Sequence, residues 1–265
     1  MDNIAALHSV SIAAIAQALG DAACRFDIDL IDSCDSSNAR LLQRAEAGAA
    51  SGSVLIAREQ TAGRGRRGRR WVSAPGESLT FSLLWRFAPG TVLSGLSLTV
   101  GLALVRALEQ LGIAGLALKW PNDILLGTGK LAGVLIEVLP SAPQAAVIGI
   151  GVNLQLPAAM PAEVRATATA LADVAVPPPA SRLLACLLRH LLALLDVFAA
   201  QGFAPLRADW LQRHAYQGRN VYLLSDYAAP LAARCVGVDD DGALLLDSGT
   251  GAQRVISGEV SLRPA

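Results

Sequence analysis

The pattern of apolar residues changes character once, near Gly218, and that change limits the architectures open to this chain. Before it, strand-like segments alternate with helix-like ones. FDIDLID, SVLIAREQ, LTFSLLWRF, LALKW, ILLG, KLAGVLIEVL and AAVIGIGVNLQL read as strands. Residues 4–19, NARLLQRAEAG, residues 92–111 and SRLLACLLRHLLALLDVFAAQG read as helices, the last set off by the break Pro177-Pro178-Pro179. Gly20 is a stop for the first helix, and Ser36 or Ser37 caps the second. Beyond Gly218 come only short alternating segments, NVYLLS, LAARCVGVD, ALLLDS, AQRVIS and EVSLRP, separated by turns such as Asp241-Gly242. Such a run predicts a small barrel of about 48 residues. The chain therefore divides into an N-terminal helical segment (1–24), a large α+β domain (25–217) and a small β domain (218–265).

Composition removes several function classes. At 53% hydrophobic over 265 residues, the chain has ample material for a core and is no disordered segment. Its 22 basic and 22 acidic side chains balance, which argues against coating nucleic acid by bulk charge. Cys24, Cys34, Cys186 and Cys235 form no C-x-x-C pair, and His8, His190 and His214 lie far apart. Neither a disulfide framework nor a zinc cluster has the spacing it needs. Two charge-free stretches, Phe87–Val105 and Val138–Ala162, are interrupted by proline, so neither is a continuous apolar span of roughly 20 residues. MDNIAALHSV has no basic start of the signal-peptide kind. The expectation is a cytoplasmic protein with no membrane partner.

Of the 22 basic residues only Lys119 and Lys130 are lysine, and all the others are arginine. In a chain with that bias, two lysines so close together suggest sites that need a compact ammonium. Three segments carry the chemistry. Gly63-Arg64-Gly65-Arg66-Arg67-Gly68-Arg69-Arg70 contains a literal G-x-G-x-x-G, but Pro75-Gly76 follows where a dinucleotide fold needs a helix. Two readings stay open: a backbone that bends around an anion, or a solvated basic turn. In Lys119-Trp120-Pro121-Asn122-Asp123, Asn122 and Asp123 are either oxygen ligands for a nucleotide's Mg²⁺ or ordinary turn residues. Gly129-Lys130-Leu131-Ala132-Gly133 lacks Walker spacing, so Lys130 is either an edge-strand charge or an ammonium aimed at a carboxylate or phosphate.

GRGRRGRRW, KWPNDI and GKLAGVLIE, in this order, resemble the biotin protein ligase family. Asp35-Ser36-Ser37-Asn38 upstream and GEVSLR near the C-terminus are similar to it as well. The resemblance implies a catalytic domain of the class II aminoacyl-tRNA synthetase type, a mixed sheet with flanking helices, followed by an SH3-like barrel. It implies that biotin and ATP form biotinyl-5′-AMP, and that a lysine of a biotin carboxyl carrier protein then takes the biotinyl group. Ser36, Ser37, Asn38 and Gln60 would hold biotin; Arg64, Gly65, Arg66 and Trp71 would close over it and the adenylate. Lys130, with Arg64 and Arg66, would be catalytic and touch the reacting oxygens. Lys119, Asn122, Asp123 and Asn153 would serve ATP, with Asn122 and Asp123 toward Mg²⁺. No permanently bound cofactor is implied. About 25 residues precede the first strand, too few for a winged helix, so no specific DNA binding is expected. The oligomeric state stays open, a homodimer included. The rivals are a lipoate or octanoate ligase and a nucleic-acid-binding module built on the arginines.

Overall fold

A computed structural model describes residues 10–225, 229–249, 251–256 and 260–265. The start of the expected first helix with His8, and the ends of the last two strands at Ser257 and Glu259, lie outside the described residues. The elements are α1 (Ile12–Leu19), β1 (Asp27–Cys34), α2 (Ser37–Glu46), β2 (Ser53–Gln60), β3 (Ser78–Arg86) and α3 (Leu96–Gln110). They continue with β4 (Leu116–Lys119), β5 (Asp123–Leu126), β6 (Gly129–Leu139), β7 (Ala142–Asn153), α4 (Ala162–Arg165), α5 (Ala180–Gln201) and α6 (Arg207–Gln212). The chain closes with β8 (Asn220–Ser225), β9 (Leu231–Val238), β10 (Leu244–Asp247), β11 (Ala252–Val255) and β12 (Val260–Pro264). Two short helices, α4 and α6, were not expected; neither is long enough to show a full apolar period.

Seven strands form a mixed sheet in the order β1-β2-β3-β7-β6-β5-β4, in which only β1 and β2 are parallel. Alternation within β3 separates the two faces. Leu79, Phe81, Leu83 and Trp85 enter the main core with α3 and α5, whereas Leu84 joins Leu41 and Ala45 of α2 on the other face. The site lies on the α2 face.

Helix α5 is long and apolar enough to cross a membrane by length and composition alone. Here Leu183, Leu184, Leu187, Leu188, Leu191, Leu194, Leu195 and Phe198 are all buried in the main core. Each such side chain contributes about 1.5–3 kcal/mol on burial. Gly202 ends the helix at φ 70°, its N–H donating to Phe198 O at 2.8 Å. Helix α1 rests on α5: Ser11 N–H donates to Ser181 Oγ at 2.9 Å, and Arg189 Nη2 donates to Leu19 O at 3.2 Å. The N-terminal segment is thereby tied to the core.

The second sheet is antiparallel throughout, in the order β11-β10-β9-β8-β12. Its Val221, Cys235, Val238, Leu244 and Leu262 share the main core with the first sheet, and hydrogen bonds add to that union. Trp120, fully buried between β4 and β5, donates from Nε1 to Gly242 O at 3.1 Å. The segment after α6 lies along β4, with Leu118 N–H donating to Arg213 O at 2.7 Å and Ala215 N–H to Leu118 O at 2.9 Å. His214 in that segment is buried beside Trp210, with Cys235 Sγ 3.9 Å from its Nδ1.

Burial lowers the His214 imidazole from 6.5 to about 4. Between those values the unfolded chain binds the extra proton, so stability is full above roughly pH 6.5 and falls as pH drops toward 4. The full effect is about 3 kcal/mol. Urea unfolding from about pH 7 down to pH 4.5 should therefore show a steeper loss in the native chain than in His214→Gln. Parallel curves would show that His214 titrates normally in the fold.

Candidate active site

The site stands on a floor without side chains. Strand register puts Thr80, Gly151, Gly133, Asp123 and Lys119 in one row across β3, β7, β6, β5 and β4. The next row holds Ser82, Gly149 and Leu135. Residues directly opposite on neighbouring strands share a face. The three glycines therefore expose backbone where side chains would stand, and three functional side chains lie on it. A Cβ at Gly149 would come 2.4 Å from Asn38 Oδ1, one at Gly151 2.4 Å from the Trp71 ring, and one at Gly133 3.0 Å from Lys130 Nζ.

Above this floor is an open cavity of about 460 Å³. Ser36, Ser37, Asn38, Gln60, Arg64, Gly65, Arg66, Trp71, Asn122 and Lys130 all line it, although they come from separate parts of the chain. One part is polar, with its one carboxylate, Glu137, paired to Arg64. Ser36 caps α2, accepting from Ala39 N–H at 3.4 Å, and so aims the helix start at the cavity. Ser37 donates to Gln60 Oε1 twice, from its N–H at 2.7 Å and its hydroxyl at 3.0 Å. Ser82 Oγ lies 2.8 Å from Ser37 Oγ and 2.6 Å from Asn38 Oδ1, and its one proton serves one of them. Asn38 Nδ2 donates to Glu137 Oε2 at 2.8 Å, and the same carboxylate pairs with Arg64 at 3.0 Å.

The other part is cationic. Lys130 Nζ lies 2.5 Å from Asp123 Oδ1 and 6.0 Å from the Trp71 ring centre. Lys119 Nζ is 3.9 Å from Asp123 Oδ2. Burial pushes the Lys119 ammonium down, and Asp123 opposes that shift. Arg66 Nη1 donates to Asn122 Oδ1 at 3.4 Å, and burial lowers its pKa as well. The arginine loop is a closed turn: Gly65 N–H donates to Arg69 O at 2.7 Å and Trp71 N–H to Gly63 O at 2.9 Å. Val134, Leu135 and Ile150 supply apolar wall between the two parts. The cavity thus suits a ligand with a neutral hydrogen-bonding head, an apolar middle and an anionic end.

Residues 30–153 match the model of the biotin/lipoate A/B protein ligase family, and residues 218–263 match the biotin protein ligase C-terminal domain. The chain is 39% identical over 240 residues to the biotin–[acetyl-CoA-carboxylase] ligase of Paracoccus denitrificans, covering 85% of this chain and 96% of that protein. It belongs to the biotin protein ligase family. The bifunctional ligase/repressor BirA of Escherichia coli is 37% identical over 235 residues, 87% of this chain and 72% of that protein. The solved biotin protein ligase of Aquifex aeolicus in complex with biotin and ATP superposes with a TM-score of 0.79 at 30% identity, covering 90% and 99% of the two chains.

Against the family's motifs, the structure distributes roles unevenly. All residues expected to hold biotin line the cavity, but Asn38 spends its amide on Glu137 and on Leu135 O at 3.3 Å. It supports the wall. Of the four residues expected to serve ATP, only Asn122 lines the cavity. Asn153 lies outside the lining, and its Nδ2 donates to Lys130 O at 3.2 Å and Thr169 O at 3.0 Å, fixing the backbone that carries Lys130. Lys119 and Asp123 stand beyond Gly133 in the same cross-strand row. The pair expected toward Mg²⁺ faces other partners: Asn122 donates to Val134 O at 2.8 Å and accepts from Arg66, and Asp123 lies between two lysines. Among the described residues no cluster of three His, Cys, Asp or Glu side chains could hold a metal. These donors do not fit a resident divalent ion.

Thr80, Ser82 and Glu137 went unread in the sequence. A signal existed: Ser78, Thr80 and Ser82 alternate in a strand that is buried on both faces. Gly149 and Gly151 alternate in the same way in β7, a mark of close approach within a strand. The Gly149→Ala variant should expel Asn38 from its bonds to Ser82, Leu135 and Glu137. Thermal unfolding should show a loss of about 2–3 kcal/mol, a Tm fall of roughly 5–10 °C. An unchanged Tm would mean that the floor tolerates a methyl group and the close approach is unimportant.

Proposed function

We infer that this chain is an ATP-dependent ligase that activates biotin as biotinyl-5′-AMP and transfers it to a lysine of a biotin carboxyl carrier domain. One observation carries the reading: a polar pocket and a cationic pocket share one glycine floor in a member of this family. Biotin has the matching shape, with a neutral ureido head, an apolar chain and a carboxylate. Ser36, Ser37 and Gln60 take the head. The buried Thr80 hydroxyl and Trp71 indole N–H have no hydrogen-bond partner among the described residues. Leaving such a group unpaired costs about 1–3 kcal/mol, which a bound polar ligand offsets.

In the first step the biotin carboxylate attacks the α-phosphorus of ATP, a new O–P bond forms, and pyrophosphate leaves with the electrons of the broken P–O bond. Charge gathers on the phosphoryl oxygens, where Lys130, Arg64 and Arg66 stabilise it. Mg²⁺ enters as the partner of the triphosphate. In the second step a carrier lysine amine attacks the activated carbonyl and AMP departs. Lys119 and Asn122 lie toward the nucleotide in this reading, and Asn153 supports Lys130. The mixed sheet with its helices corresponds to the class II aminoacyl-tRNA synthetase type (25–217) and the five-stranded sheet to an SH3-like barrel (218–265). Within the N-terminal segment (1–24), helix α1 docks on α5, which supports a structural role for it in this reading. The buried α5 supports a cytoplasmic enzyme without a membrane partner.

Biotin-dependent exchange of labelled pyrophosphate into ATP tests the first step, and labelling of a carrier domain tests the second. Exchange driven by lipoate and not by biotin would overturn the assignment. Lys130→Arg should slow single-turnover biotinyl-AMP formation by on the order of 100-fold with little change in Tm. Lys130 reaches Asp123 directly over Gly133, and a planar guanidinium is too wide for that approach. A rate within about threefold of the native chain would reduce Lys130 to an edge-strand charge.

A further inference from the structure

We propose that Asp123 is a positioning residue for the Lys130 ammonium and not a ligand of the nucleotide's magnesium ion. The proposal deepens the adenylate-forming reading and rests on it. Asp123 Oδ1 is 2.5 Å from Lys130 Nζ, and Oδ2 is 3.9 Å from Lys119 Nζ. Both oxygens thus face ammonium groups. The Asp123 side chain is 19% exposed and that of Lys119 only 11%. Mg²⁺ demands near-ideal octahedral geometry and keeps several of its waters. A half-closed corner between two ammonium groups, with Arg66 on the neighbouring Asn122, repels a dication and leaves little room for its waters.

The backbone explains how the pair forms. Asp123 and Gly133 are opposite each other on β5 and β6, and the register shifts between Ile124 and Leu125, near Lys130. The Lys130 stem folds back over Gly133, with Cε and Nζ 3.1 and 3.0 Å from where a Cβ would stand. A four-carbon stem samples many rotamers, and ordering it costs conformational entropy. Asp123 holds the end of that stem and occupies one of the three ammonium donors. Two donors remain for the biotin carboxylate and an α-phosphate oxygen, and the ammonium stands where they meet before either substrate arrives. Lys119 flanks Asp123 from the far side, its Nζ 3.9 Å from Oδ2.

The test uses the full chain and separates the two roles. Single-turnover biotinyl-AMP formation by Asp123→Asn should fall by on the order of 100-fold. The Mg²⁺ concentration giving half the maximal rate should stay within about twofold of the native value. A rate within about threefold of native, or a Mg²⁺ requirement raised about fivefold or more, overturns the proposal. A second measurement does not depend on the variant's folding: Mn²⁺ is titrated into the native chain without nucleotide and followed by electron paramagnetic resonance. The expected result is no protein-bound Mn²⁺ below about 1 mM, and binding in that range overturns the proposal. A native chain that forms no biotinyl-AMP at all would instead sink the underlying functional reading.

Discussion

Everything in the site depends on three absent side chains. Gly133, Gly149 and Gly151 leave bare backbone on two adjacent strands, and Lys130, Asn38 and Trp71 lie in the space so made. Glycine in a strand interior weakens the strand, since it brings no packing and costs entropy on ordering. The sheet absorbs that cost because β6 and β7 are its centre, paired along most of their length and backed by α3 and α5. A stiff, fully paired floor is also what a site built from distant segments needs, since it holds them in register.

Charge is arranged on this floor with little waste. The zero net charge of the chain hides a local concentration of cations, Lys119, Lys130, Arg64 and Arg66, around one carboxylate on each side, Asp123 and Glu137. Those carboxylates do not neutralise the site. They hold the cations at fixed positions, so an arriving anion meets prepaid electrostatics and not a disordered basic loop. The second sheet takes part at one remove. Trp120 stands between Lys119 and the Asn122-Asp123 turn and donates to Gly242 O, so the small domain bears on the segment that carries Asp123.

Much of this was legible in the chain itself. β2 and β8 run over the residues expected for them, and Gly20 ends its helix as expected. Arg64, Gly65, Arg66, Asn122 and Lys130, which the family resemblance singles out, all line the cavity, whereas residue identity alone leaves a basic turn, an ordinary turn and an edge-strand charge open. Asn153 and Asp123 show the limit. Each has the right chemistry for a nucleotide or metal ligand, but pairing across strands and loops engages their polar atoms with Lys130, Thr169 and Lys119. The same holds for Glu137, at the end of the GKLAGVLIE motif, whose carboxylate is engaged by Asn38 and Arg64.

The sequence by itself determined the change from mixed helices and strands to short strands near Gly218, most of the strands and the long helices, and the kinds of group that could meet a ligand. Periodicity, caps and turn residues act over a few positions, so they need no knowledge of the fold. Only the tertiary structure decided which groups are free to act and which hold others in place. Cross-strand register sets that division: it joins Thr80, Gly151, Gly133, Asp123 and Lys119 in one row. No local rule fixes such a row, because it depends on strand order and on the bulge that lets Lys130 cross Gly133 to reach its carboxylate.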